Sequence, residues 1–90
     1  YKACNSNVFV MTASPSTAGV IAMIHAVLRE LGVTHPMYRA HEASMQVVKR
    51  VRDMAKPLLI VDEAQHLGEK ALEQLRSWHD HTGLGIALLG

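Results

Sequence analysis

An α/β fold built on a parallel sheet is what this sequence predicts, on three observations. Three short segments are apolar without alternation, Val8–Thr12, Pro57–Val61 and Gly85–Gly90, the pattern of strands covered on both faces. Between them lie stretches in which apolar residues recur every three or four positions, as on one face of a helix. The order is strand, helix, helix, strand, helix, strand, and strands alternating with helices join by right-handed crossovers into a parallel sheet. Ninety residues make one domain or part of one with a modest core. Hydrophobic residues reach 49% while aromatics are only 4%, so that core is expected to be aliphatic.

Tyr1 to Asn7 is polar, with a turn signal at Asn5-Ser6-Asn7. Val8–Thr12 reads as a first buried strand. Ala13-Ser14-Pro15-Ser16-Thr17 breaks the extended run and offers Ser14 or Ser16 as a helix cap. A helix over about Thr17–Leu31 follows, with Ile21, Ile24, Leu28 and Leu31 on one face and Gly32 placed to end it. His25 reads as a partly exposed helix residue, because no second metal-type residue shares its face at ligand spacing. Val33 to His41 connects, since His35-Pro36 forbids a continued helix.

A second helix is expected over Glu42–Ala55, with Met45, Val48 and Val51 inward and Lys49, Arg50, Arg52 and Asp53 mostly outward. Such a charge run is either a solvated helix face or a set of phosphate contacts. A third helix spans Glu69–His81, with Leu72, Leu75 and Trp78 facing the sheet and Thr82-Gly83 ending it. Trp78 continues the apolar stripe and reads as a core anchor rather than a base-stacking platform. His79 and His81 point roughly 200° apart on a helix, so they do not suit one zinc ion.

A net charge of +1 is too mild to diagnose nucleic-acid binding and does not exclude it. The lone Cys4 rules out an internal disulfide and reads as a free structural thiol in a reducing compartment. No apolar run approaches the roughly 20 residues that cross a bilayer, and no charged leader precedes a short apolar core. A cytoplasmic protein without a membrane partner is expected. The absence of an initiator Met suggests a fragment.

Chemistry concentrates at Leu58-Leu59-Ile60-Val61-Asp62-Glu63. The two acids end the strand, and the carboxyl ends of strands are where open α/β sheets bind ligands. A carboxylate beside apolar residues loses hydration, a cost offset by a cation. Alternatively, an acid after an aliphatic run simply starts a turn or caps a helix. The adjacent Glu63 and the continuation Ala64-Gln65-His66-Leu67 favour the ligand-binding reading.

Four hydrophobic residues followed by Asp-Glu resemble the Walker B motif of P-loop ATPases. With Asn7–Thr17, Leu58–Leu67 and Ala71–Gly83 taken together, nearly the whole chain resembles the AAA+ ATPases of the phage Mu B transposition-protein group. The resemblance implies a three-layer α/β sandwich fragment of the P-loop NTPase (AAA+) core, with about three parallel strands and flanking helices. Residues 1–90 would run from its second strand through the sensor-1 strand, with Leu58–Val61 in the middle. It implies ATP and Mg²⁺ as cofactors. Asp62 would hold the Mg²⁺ of MgATP, and Glu63 would orient and deprotonate the attacking water. DNA, a transposase and further copies of the protein in an oligomer or filament are the implied partners, with Lys49, Arg50 and Arg52 as candidate DNA phosphate contacts.

One part of that pattern is missing. A phosphate-cradling Gly-x-x-x-x-Gly-Lys-Ser/Thr loop does not occur; the nearest stretch, Ala13–Val20, has Ala for both glycines, Gly for the Lys and Val for the hydroxyl. The resemblance aligns it instead with the exit of the second strand, so the loop is expected upstream of Tyr1, and this chain alone is expected not to hydrolyse ATP. The strand at Ile86–Leu89 would lack its neighbour, and an apolar unpaired edge invites self-association. Two further readings fit the same residues: an AAA+ ATPase of a secretion or signalling system that does not bind DNA, and a nucleotide-free scaffold whose phosphate loop at Ala13–Val20 has decayed.

Overall fold

The structure is a computed structural model that describes residues 7–90. Cys4 and the first two residues of the expected Asn5–Asn7 turn lie outside the described residues. Three strands form the sheet: β1 (Val8–Thr12), β2 (Leu58–Asp62) and β3 (Gly85–Leu88). All pair in parallel in the order β1-β2-β3, with Val8 opposite Leu58, Thr12 opposite Asp62 and Leu58 opposite Gly85. Helices α1 (Val20–Glu30) and α2 (Ala40–Arg52) join β1 to β2, and α3 (Glu69–Thr82) joins β2 to β3. The expected α/β architecture with the Leu58 strand central is therefore present.

Both crossovers step the same way across the sheet, so their common right-handedness puts all three helices on one side. Side chains alternate along a strand, and the burial follows. Met11, Leu59 and Val61 are at most 2% exposed and join one core with Ile24, Leu28, Val47, Leu75 and Trp78. Val8 and Val10 on the opposite face are 49% exposed, and Leu58 and Ile60 are only half-buried. This corrects the expectation that β1 and β2 are covered on both faces. Of the three layers expected, the described residues build the sheet and one helical layer.

Local boundaries follow capping chemistry. The first helix starts at Val20 rather than Thr17, because Pro15–Thr17 forms a separate 3₁₀ turn. Thr17 closes that turn: its Oγ1 accepts the Ser14 N–H at 2.8 Å and its N–H donates to Ser14 O at 2.9 Å. Gly32 (φ 85°) and Gly83 (φ 77°) supply the left-handed residues that end α1 and α3. The His79 ring donates to Leu84 O at 2.8 Å across the second of these ends. Trp78 is 1% exposed and donates its Nε1–H to Ser44 Oγ at 2.9 Å, so its one polar group is satisfied where the core buries it.

The inward faces of α2 and α3 differ from expectation by a fraction of a turn. Ala43, Val47, Val48 and Val51 are the buried set of α2, and Met45 is 39% exposed. On α3 the set is Ala71, Leu75 and Trp78, while Leu72 is 37% exposed beside the free edge of β3. With Leu75, Arg76, His79, Ile86 and Leu88 it lines a groove of about 350 Å³ along that edge. No described helix is long and apolar enough to cross a membrane.

Candidate functional site

The carboxyl rim of the sheet is made by three strand exits that hold one another. Ala13 N–H donates to Asp62 O at 2.8 Å, tying the exit of β1 to that of β2. Leu89 N–H donates to Val61 O at 2.9 Å and Ala64 N–H donates to Leu89 O at 2.7 Å, tying β2 to β3. Gly68 N–H reaches Ala18 O at 3.1 Å, and a Cβ on Gly68 would stand 3.2 Å from that oxygen, so the approach is one that glycine permits.

Asp62 and Glu63 stand on this rim, both exposed, at the end of the middle strand. Asp62 alternates with Leu58 and Ile60, which places it on the side of the sheet without described helices. Its Oδ1 accepts the Glu63 N–H at 2.9 Å, and Oδ2 has no protein partner among the described residues. Glu63 is left-handed, at φ 57° and ψ 41°, a conformation that costs a non-glycine residue about 1 kcal/mol. The surrounding bonds enforce it: Asp62 takes its N–H, its carbonyl accepts from His66 N–H at 3.1 Å, and the next residue is fixed to Leu89. The reversal lets Gln65, two residues on, donate its Nε2–H to Glu63 Oε1 at 2.5 Å. The 3₁₀ turn Ala64–His66 ends at Leu67, which is 7% exposed and anchors the turn in the core.

One carboxylate with a free oxygen, in the open, is a donor set for a hydrated cation that brings phosphate oxygens of its own. It is not an all-protein cage, and no cluster of three or more His, Cys, Asp or Glu side chains suited to a metal occurs among the described residues. The donor set thus fits Mg²⁺ held jointly with a nucleotide. The stretch Ala13–Val20 does not fit a phosphate cradle, because the N–H groups of Ser14, Thr17 and Ala18 are spent on Thr17 Oγ1, Ser14 O and Pro15 O.

The basic cluster lies elsewhere. Lys49, Arg50 and Arg52 occupy the last turns of α2, which leads into the start of β2 and so ends at the amino end of the sheet, opposite Asp62. Lys49 borders a cleft with Met37, His41 and Gln46, and Arg52 a second cleft with Ser44, Gln74 and His81. Arg50 turns toward α1 and donates to Leu31 O at 3.5 Å, so the three cations do not form one patch. His25 donates from Nε2 to Met37 O at 2.8 Å, and His81 from Nδ1 to Ser77 O at 2.8 Å. The Gln65–Glu63 contact was not legible in the sequence; the signal pointing to it is the Asp-Glu-Ala-Gln spacing, which a reversal at Glu63 converts into proximity.

A family profile described as an AAA domain matches residues 1–90. The chain is 35% identical over 86 residues to the Mu-like prophage FluMu DNA transposition protein B of Haemophilus influenzae, a span of 96% of this chain and 30% of that protein. It is 34% identical over 90 residues to the ATP-dependent target DNA activator B of Escherichia phage Mu and to that of Escherichia phage D108, covering 100% of this chain and 28% of each. It therefore spans less than a third of the length of these relatives. A whole-length profile match, on a parallel sheet whose middle strand ends in Asp62-Glu63, shows that the chain belongs to the AAA domain family.

Proposed function

We propose that this chain is the Walker B part of an ATP-dependent DNA transposition protein, one that assembles on target DNA with ATP and activates or directs a transposase. The names of its relatives, DNA transposition protein B and ATP-dependent target DNA activator B, support this reading. The observation that carries it is the placement of Asp62 and Glu63, exposed and held by backbone bonds, at the rim of the central strand. Residues 1–90 then run from the second strand of the domain to the strand that leads to its phosphate-sensing residue.

Bound MgATP supplies the phosphate to be attacked and the metal charge that draws electrons from it. Asp62 offers its free oxygen to the metal or to a water on it. Glu63 orients the attacking water and takes its proton, a role that needs a carboxylate with one oxygen open to the solvent side. Lys49 and Arg52 meet DNA phosphates from the far end of the domain. Hydrolysis resets the oligomer, and the protein works in the cytoplasm.

The test is Glu63→Gln in the full-length protein. It should retain ATP, stabilise the ATP-bound oligomer, and lower turnover by about 100-fold or more, the scale of losing a general base. Turnover unchanged within twofold would defeat the reading.

A further inference from the structure

We propose that Gln65 is a positioning residue for Glu63, holding its carboxylate in the orientation from which it acts on water. This rests on the reading of Glu63 given above. Three observations meet at this amide. The left-handed backbone of Glu63 folds the chain back so that Gln65 Nε2 reaches Glu63 Oε1 at 2.5 Å. Both side chains are exposed, so the glutamate is not fixed by burial and this bond restrains its carboxylate. The other end of the amide lies against the exit of β3: a Cβ on Gly90 would stand 3.2 Å from Gln65 Oε1 and 3.9 Å from Gln65 N. The bare Cα of Gly90 gives the amide its place, and the Ala64 N–H bond to Leu89 O at 2.7 Å holds the two segments together.

An ordered general base is oriented by a third group that binds its second heteroatom. Gln65 is suited to that task because its amide donates without ionising: it engages one carboxylate oxygen and leaves the other to accept a proton. It also carries information across the rim. A movement of the chain after Leu88 displaces the Gln65 oxygen, rotates the amide and releases Glu63 Oε1. The arrangement thus couples the orientation of the base to the strand exit beside it.

The experiment uses the full-length protein, with ATP turnover, binding of a fluorescent ATP analogue and crystal structures of the nucleotide-free protein as readouts. Gln65→Ala is expected to lower kcat about tenfold or more, short of the roughly 100-fold or greater loss of the general base itself, while KM and the analogue Kd stay within twofold. In the crystal, Glu63 should leave the position it holds in the wild type. Gln65→Glu, which keeps the shape and removes the donor, should lower kcat at least as far. Gly90→Ala, which crowds the Gln65 oxygen, should lower kcat by a smaller factor at unchanged analogue Kd. A Gln65→Ala enzyme with kcat within twofold of wild type, or with kcat raised, overturns the inference, as does an unmoved Glu63. Glu63→Gln run in parallel separates the two failures: if it leaves turnover intact, the assignment of Glu63 fails; if it abolishes turnover while Gln65→Ala does not reduce it, only the role of Gln65 fails.

Discussion

Leu59 and Ile60 are neighbours in one strand with nearly the same side-chain volume, yet Leu59 is 1% exposed beneath the helices and Ile60 is half-buried on a face no described helix covers. The contrast repeats in β1, where Met11 is 2% exposed and Val10 is 49% exposed. Apolar composition alone does not separate the two faces. The order β1-β2-β3 does, because successive right-handed crossovers in one direction deliver every helix to the same side. The candidate chemistry sits on the poorer side: Asp62 shares the face of Ile60. A sheet face that is apolar along its length and acidic at its carboxyl end is suited to be closed by the rest of a longer chain, in keeping with relatives more than three times as long.

The largest expected effect tests that contrast directly. In the 90-residue chain, Leu59→Ala should cost about 3 kcal/mol of unfolding free energy and Ile60→Ala about 1 kcal/mol, read as urea midpoints at unchanged slope. In the full-length protein the two losses should converge, since Ile60 is then covered. Equal losses in the short chain would mean that both faces are already packed. Next in size is association of the short chain. Val10→Lys on the open face and Leu88→Lys at the free edge should each weaken self-association about tenfold or more in sedimentation, roughly 1.4 kcal/mol. If the wild-type chain sediments as a monomer, the open side needs no partner.

The smallest effect concerns the far end of the covered side. For the full-length protein on DNA, Lys49→Ala and Arg52→Ala should each reduce the slope of log affinity against log salt by about one. Arg50→Ala should change it less, because its guanidinium is turned to Leu31 O. Slopes unmoved by all three would assign DNA to another surface.

Much of the fold was legible in the sequence because strong local signals agreed: three aliphatic runs, Gly32 and Gly83 at positions that need a left-handed residue, and Pro15 in a capped turn. The inward faces of α2 and α3 lie a fraction of a turn from where the large apolar residues point, and the reason is size. Ala43 and Ala71 are 0% and 1% exposed, so the helices approach their neighbours through methyl groups, whereas the larger Met45 and Leu72 carry the stronger apolar signal in the sequence. The open face of β1 was hidden for a different reason, since one-sided coverage is a property of crossover direction. At the rim, the placement of Asp62 and Glu63 at the end of the middle strand was legible from the aliphatic run before them; the left-handed Glu63 backbone and its Gln65 partner were not, because tertiary bonds to Leu89 fix that turn.

Gly68 gives the rim a mechanical property. With its N–H 3.1 Å from Ala18 O and an added Cβ there standing only 3.2 Å from that oxygen, the loop leaving β2 is pinned to Ala18, two residues before the start of α1 at Val20. A displacement of the acidic turn therefore pulls on the segment that leads into that helix, and the helical layer becomes a lever for whatever occupies the rim. Adding a methyl group at position 68 would slacken that linkage while leaving both acids in place.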